Sequence, residues 1–478
     1  MTDLYEAVIG IEVHVELATE AKIFCGCRAQ FGAPPNTNVC PVCMGYPGVL
    51  PSLNERALDM AIKAGLALEC RIADVTRFDR KNYFYPDLPK AYQISQNEFP
   101  ICYGGGLDVS VDGEKKRVRI KRIHLEEDAG KLLHRDGEGT LIDYNRCGVP
   151  LIEIVSEPDL HTSAEAKAYL SELRTVLLYT GISDCRMDEG SLRCDVNVSV
   201  RKRGSTELGV RTEIKNVNSF AFAAKAIDYE IGRQTELIQS GAELCAETRR
   251  FDEASGRTVL MRKKESAADY RYFPEPDIPP LRIDRERVDR IKAELVPLPA
   301  ERRRLYTERY GVSADDARIL TLSPAIAEYF ESAVSKSHYP SVVANILLCD
   351  VLAKTSAEVF EPFIGAELLY ETAELYGSGV ISSSSVKKLL KMLDGSKLTP
   401  RQIVEQEKLA QINDEGVLED VLRQVLEQDE RLVSDYKNGK TAARKAIIGR
   451  AMAKSNGRAN PVLLQKLFDK LMQEQNVE

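Results

Sequence analysis

Ile9-Gly-Ile-Glu-Val-His-Val-Glu-Leu17 is the stretch that decides how the first half of the chain folds. Its alternation sends Ile11, Val13, Val15 and Leu17 to one face and Glu12, His14 and Glu16 to the other, because side chains of a strand switch sides at every residue. Just downstream, Cys25-Gly-Cys27 is followed by Cys40-Pro-Val-Cys43. Two close thiol pairs joined by a short loop match the ligand pattern of tetrahedral zinc, although one residue between Cys25 and Cys27 is tighter than usual. The plainer alternatives are reduced core cysteines and a solvated sheet face.

The strand pattern recurs. In Leu151-Ile-Glu-Ile-Val155, Glu153 interrupts an apolar run, and in Cys194-Asp-Val-Asn-Val-Ser-Val200 the valines take one face while Asp195, Asn197 and Ser199 take the other. His124-Leu-Glu-Glu-Asp128 adds Glu126 and Glu127. If these strands share a sheet, their carboxylates converge with His14 on one surface. Like charges repel unless protons or a cation neutralise them, and a divalent ion such as Mg²⁺, bound with a nucleotide's phosphates, is the simplest answer.

Phe78-Asp-Arg-Lys-Asn-Tyr-Phe-Tyr-Pro-Asp87 sets Arg80 and Lys81 among Tyr83, Phe84 and Tyr85, with Lys90 and Tyr92 following. Cations interleaved with aromatics hold single-stranded nucleotide ends by stacking and phosphate pairing. An aromatic loop buried under a sheet has the same spacing. Gly439-Lys-Thr441 is no phosphate loop, since Ser434 stands where a second glycine is required.

The rest of the chain supplies the frame. Its 478 residues exceed what one core organises, and 44% apolar with 29% charged residues is ordinary soluble composition. No run approaches the ~20 apolar residues of a membrane helix, so a cytoplasmic protein with no membrane partner is expected. The 11 cysteines, odd in number and scattered outside the cluster, read as thiols and metal ligands. Strand-rich text with helices at Asn54 to Leu68 and Ser163 to Thr180 runs to a proline-rich exit at Pro274 to Pro280, and helical patterns follow. The expected class is α+β: a cradle domain with a mixed or antiparallel sheet over 1–294, a helical domain over 295–398, and an all-α tail over 399–478 that starts at Thr399-Pro400. Net charge is −8, yet seven cations and no acid lie between 436 and 460, including Lys440, Arg444, Lys445, Arg450 and Lys454. That concentration suits a polyanion, whereas the usual reading of a charge run is a solvated helix face.

Ile9 to Leu17, Phe78 to Asp87, Leu125-Glu-Glu-Asp-Ala-Gly-Lys131, Pro150-Leu-Ile-Glu-Ile-Val-Ser-Glu-Pro158 and Asp188-Glu-Gly-Ser-Leu-Arg-Cys-Asp-Val-Asn197 closely resemble the B subunit of the bacterial and organellar tRNA-dependent amidotransferase, essentially end to end. The resemblance implies that ATP phosphorylates the side-chain carboxylate of Glu-tRNA(Gln) or Asp-tRNA(Asn), and that ammonia then displaces the phosphate. It implies Mg²⁺ at His14, Glu153 and Glu127, with Glu126 as the competing neighbour. Glu12 and Asp195 would complete the site or hold a second ion, and Lys81, Tyr83, Tyr85, Lys90, Arg193 and Asn197 would be nucleotide contacts. It further implies structural Zn²⁺ at Cys25, Cys27, Cys40 and Cys43, and a tail that contacts tRNA. No amidase signature or cysteine glutaminase setting is present, so an A subunit would supply ammonia and a small C subunit would wrap the pair. A tRNA-binding scaffold with an inert acidic face is the alternative.

Overall fold

The computed structural model describes residues 4–474 except 136, 138, 264–269, 356–358 and 438, and it divides into two units, Met1–Leu298 and Pro299–Glu478. In the first, nine strands form one sheet. In spatial order they are Arg257–Lys263, Glu247–Asp252, Thr212–Lys215, Leu192–Lys202, Tyr5–Glu16, Pro150–Ser156, Glu114–Glu127, Cys102–Val111 and Arg71–Ile72. The alternating N-terminal strand therefore lies at the centre. Neighbours run antiparallel except Thr212–Lys215 against Glu247–Asp252, whose parallel pairing needs a crossover, supplied by the helix Phe220–Ser240. The sheet is thus mixed.

One face of the sheet is apolar and covered. Ile11, Val13, Val15, Ile152, Ile154, Val196 and Val198 share a core with Leu58 and Ile62 of the helix Glu55–Ala67, with Leu170, Leu173 and Leu177 of Ser163–Thr180, and with Ala226 and Ile227 of Phe220–Ser240. Each helix starts on a side chain that accepts a first-turn N–H (Asn54, Thr162 or Ser219). The two longer helices stop at Gly181 and Gly241, both left-handed, where a residue with a Cβ would be strained. With the helices on that side, the other face is left for polar residues. A three-stranded sheet of Phe273–Pro274, Asp79–Asn82 and Tyr92–Ser95 forms beside it, and Ser95 Oγ donates to Glu126 Oε2 at 3.1 Å.

The second unit is helical throughout its described residues and has two apolar clusters. One runs from Tyr306 to Leu409, and the other takes in Leu418, Leu422, Ile447, Leu464 and Phe468. Thr399 does cap a helix, Pro400–Gln406, by a reciprocal capping box with Gln402. Ile403, Val404 and Leu409 pack into the first cluster, so apolar contacts change hands within 410–417. Ile412 packs against the second cluster, its N–H donating to Arg458 O at 2.8 Å and its carbonyl accepting from Asn460 N–H at 3.1 Å.

Candidate functional site

The sheet register decides what the polar face can do. His14 lies opposite Glu153 on one side and Arg193 on the other, Glu12 opposite Asp195, and Glu153 opposite His124. His14 Nε2 sits 3.4 Å from Glu153 Oε2 and 3.8 Å from Glu126 Oε1. His124, buried, brings its Nε2 to 3.5 Å from Glu153 Oε2 and 3.7 Å from Glu126 Oε2. Burial alone would push both carboxyls up, but His124 and Lys81 outweigh it at Glu126, and His124, His14 and Lys81 at Glu153, holding both below the usual carboxylate range. For His14 burial pulls down and the two carboxylates win, so its pKa is raised. Glu12 is raised too, by burial and then by the charges of Glu153 and Asp195.

A second group adjoins it. Donor atoms of Glu12, Asp195 and Glu213 all lie within 4.8 Å of one another, as do those of His14, Glu126 and Glu153. Asn197 Nδ2 donates to Glu12 Oε1 at 3.1 Å, and Lys215 Nζ lies 2.5 Å from Asp195 Oδ2 and 3.2 Å from Glu213 Oε1. Arg193 pairs with Asp128 and carries its charge next to His14 and Glu16. Glu16 is pushed up to about 8, first by burial and then by Asp128.

Glu127 is not part of the His14 group. It follows Glu126 in the strand and faces the other way, where Lys90 Nζ lies 2.5 Å from its Oε1 and Ile94 N–H donates to the same oxygen at 2.8 Å. The donor atoms that lie together with His14 are those of Glu126 and Glu153. Lys90 is likewise committed to Glu127, inside a cavity of about 210 Å³ that the cysteine loop also lines.

The aromatic stretch splits into parts. Phe78 is fully buried, whereas Phe84 and Tyr85 are 89% and 59% exposed. Lys81 Nζ lies 5.1 Å from the Tyr270 ring centroid and 5.8 Å from that of Tyr83, and its field reaches Glu126 and Glu153. Arg80 is tied to Glu275 at 2.6 Å and stacks on Tyr92. His124, Glu213, Lys215 and Tyr270 are site neighbours that the sequence did not single out. His124 stood in a quoted motif, and the alternation Glu213-Ile-Lys215 was a signal in a strand only four residues long.

The four cysteines converge, all Sγ atoms within 4.8 Å of one another and Cys40 and Cys43 at 4.0 Å. Tetrahedral zinc with Zn–S of ~2.3 Å needs S···S of roughly 3.8 Å, so the donor set fits the ion. Cys40 N–H donates to Cys43 Sγ at 3.2 Å, an arrangement that favours thiolate.

The tail cations sit on and before the helix Thr441–Lys454. Acids from outside the run reach several of them. Lys440 pairs with Asp435 at 2.9 Å, Arg444 with Asp469 at 2.7 Å, and Arg450 with Asp429. Lys445 and Lys454 have no carboxylate partner among the described residues, and Lys454 reaches Gln428 Oε1 at 3.5 Å. No helix among the described residues is long and apolar enough to cross a membrane.

The likeness to known proteins covers nearly the whole chain. Residues 7–289 match the GatB/GatE catalytic domain and residues 328–472 the GatB domain. The B subunit of the aspartyl/glutamyl-tRNA(Asn/Gln) amidotransferase of Carboxydothermus hydrogenoformans is 50% identical over 98% of this chain and 99% of its own. That of Caldanaerobacter subterraneus is 49% identical over 97% and 98%, and that of Brevibacillus brevis 48% over 98% and 99%. A likeness this close over the whole length, on a sheet whose polar face gathers the motif residues, means that the chain belongs to the family of aspartyl/glutamyl-tRNA(Asn/Gln) amidotransferase B subunits.

Proposed function

We propose that the polar face of the sheet carries out the ATP-dependent phosphorylation and subsequent amidation of the side-chain carboxylate of Glu-tRNA(Gln) or Asp-tRNA(Asn). The observation that carries this reading is the meeting of His14, Glu126 and Glu153 on one buried surface, with a second acidic group beside it. An inert scaffold has no use for carboxylates held ionised at that cost.

A carboxylate oxygen is a poor leaving group. In the first step the bond between the γ-phosphorus and ADP breaks while a bond to the substrate carboxylate forms. In the second, ammonia attacks the acyl carbon, phosphate leaves, and a proton is shed. Two carboxylates and a triphosphate repel, so fixed positive charge is needed, and Lys81, Arg193 and Lys215 supply it. Mg²⁺ held by His14, Glu126 and Glu153 would neutralise phosphate charge further, and the mixed oxygen and imidazole donor set accommodates it. Glu12, whose proton affinity is raised, is a ready acceptor for the proton that ammonia sheds. Tyr83 and Asn197 line the same region, whereas Tyr85 and Lys90 are better read as outside it.

Zn²⁺ at the closed four-cysteine site would fix the loop 25–43, with no open position for water. The absence of an amidase signature supports a division of labour in which an A subunit hydrolyses glutamine and a small C subunit completes a cytoplasmic complex. Lys445 and Lys454, which have no carboxylate partner among the described residues, are the tail's best phosphate contacts for tRNA. The test is transfer of labelled γ-phosphate to Glu-tRNA by the complex. Wild type labels the aminoacyl group, and E153Q should not, with glutamine hydrolysis by the partner continuing; unchanged transamidation in E153Q overturns the reading.

A further inference from the structure

Lys22 is a lysine with almost no access to water. It is 1% exposed, its N–H donates to Cys27 O at 2.9 Å, and its side chain runs inward beneath Gly148. Nζ meets Cys43 Sγ at 3.6 Å and Tyr144 O at 3.4 Å. No carboxylate pairs with it among the described residues. A buried ammonium is costly unless an anion faces it, and a carbonyl dipole is a weak substitute. The negative charge must come from the cysteines. Four neutral thiols provide none, and two disulfides would provide none either. A tetrathiolate zinc centre carries two units of negative charge, and its ligand nearest Nζ is Cys43.

We propose that Lys22 is the positioning counter-ion of a tetrathiolate metal centre: its ammonium donates to Cys43 Sγ and offsets part of the centre's charge, so the four cysteines serve as a metal site and not as a disulfide switch. This rests on the proposal that they hold zinc. Gly148 shows how closely the parts are fitted. Its φ is +84°, and a Cβ there would stand 3.5 Å from both Cys43 Cβ and Lys22 Cδ. Ile23 N–H donates to Gly148 O at 2.9 Å, so the lysine and the loop carrying Gly148 are locked to each other. Removing the ammonium leaves the ligands in place but removes the donor that orients one of them and shields its charge. Losses of this kind lower metal affinity by about 10–100-fold.

The experiment uses the full chain purified without chelator. Zinc content is measured first, then zinc release to a chromogenic chelator for wild type and K22M. Wild type should hold close to one equivalent, and K22M should release it about 10–100-fold faster. In parallel, hydrogen exchange is followed by mass spectrometry over residues 20–30, with and without metal. In wild type, removing zinc strands the ammonium and should deprotect this segment. Unchanged exchange would overturn the proposal even if K22M fails to fold. Equal release rates in the two proteins overturn the role of Lys22 but leave the zinc reading intact. Wild type isolated without metal overturns both.

Discussion

Glu126 and Glu127 are neighbours in the chain with opposite surroundings, and substitutions should separate them. E126Q removes a donor from the His14 group and should lower amidation by roughly 100-fold, about 3 kcal/mol at the phosphoryl-transfer step, with folding little changed. E127Q strands Lys90, whose side chain is only 6% exposed, and should cost about 3–5 kcal/mol of stability, read in a denaturant titration. A kcat loss in E127Q larger than in E126Q would reverse the assignment. His14 gives a pH signature. Its folded pKa is raised, so in metal-free protein its contribution to stability is fully present below about 6.5 and fades as pH rises through the folded value. A divalent ion competes with that proton. Mg²⁺ affinity, followed by calorimetry, should therefore climb over the same range in wild type and stay flatter in H14A. Sequence alone named both glutamates; it could not say which faced His14, because alternation fixes that one residue lies on each side and not which side is which.

At the scale of elements, long strands were legible and short ones were not. Tyr5–Glu16 and Leu192–Lys202 declare themselves through many alternations, and Pro150–Ser156 through an apolar run that Glu153 interrupts. Thr212–Lys215 has four residues, too few to show a period, and with it Glu213 and Lys215 escaped notice. Helix starts read well because a cap is local chemistry, as at Thr399, which accepts from Gln402 N–H ahead of Pro400. The tail helix read well as an element and badly as a charged surface, since Asp429 and Asp469 are brought to it only by folding. Its cations should accordingly behave differently. K445A with K454A should weaken tRNA binding and flatten its salt dependence by roughly one to two units of log–log slope, without altering stability. R444A, which breaks a pair with Asp469 and leaves the Phe468 ring, should destabilise the helical unit more than it changes the slope. A filter-binding series across salt, beside thermal melts, distinguishes the two.

For the whole molecule, the exchange of apolar contacts within 410–417 changes where the chain can be cut. A chain ending at 398 loses Ile403, Val404 and Leu409 from the first helical cluster, whereas one ending at 413 keeps them. The chain ending at 413 should melt cooperatively near the intact protein and lose tRNA affinity, and the one ending at 398 should melt earlier, measured by calorimetry. The sheet also bears on how the protein is made. Its central strand, Tyr5–Glu16, comes well before both of its partners in the chain, Pro150–Ser156 and Leu192–Lys202. At ~5–20 residues per second the nascent chain must hold that strand with both edges bare for on the order of 7–30 s before Ser156 exists, and with one edge bare until Lys202 follows. During synthesis this leaves an apolar strand with unpaired edges, in need of shelter until the strands that flank it have been made.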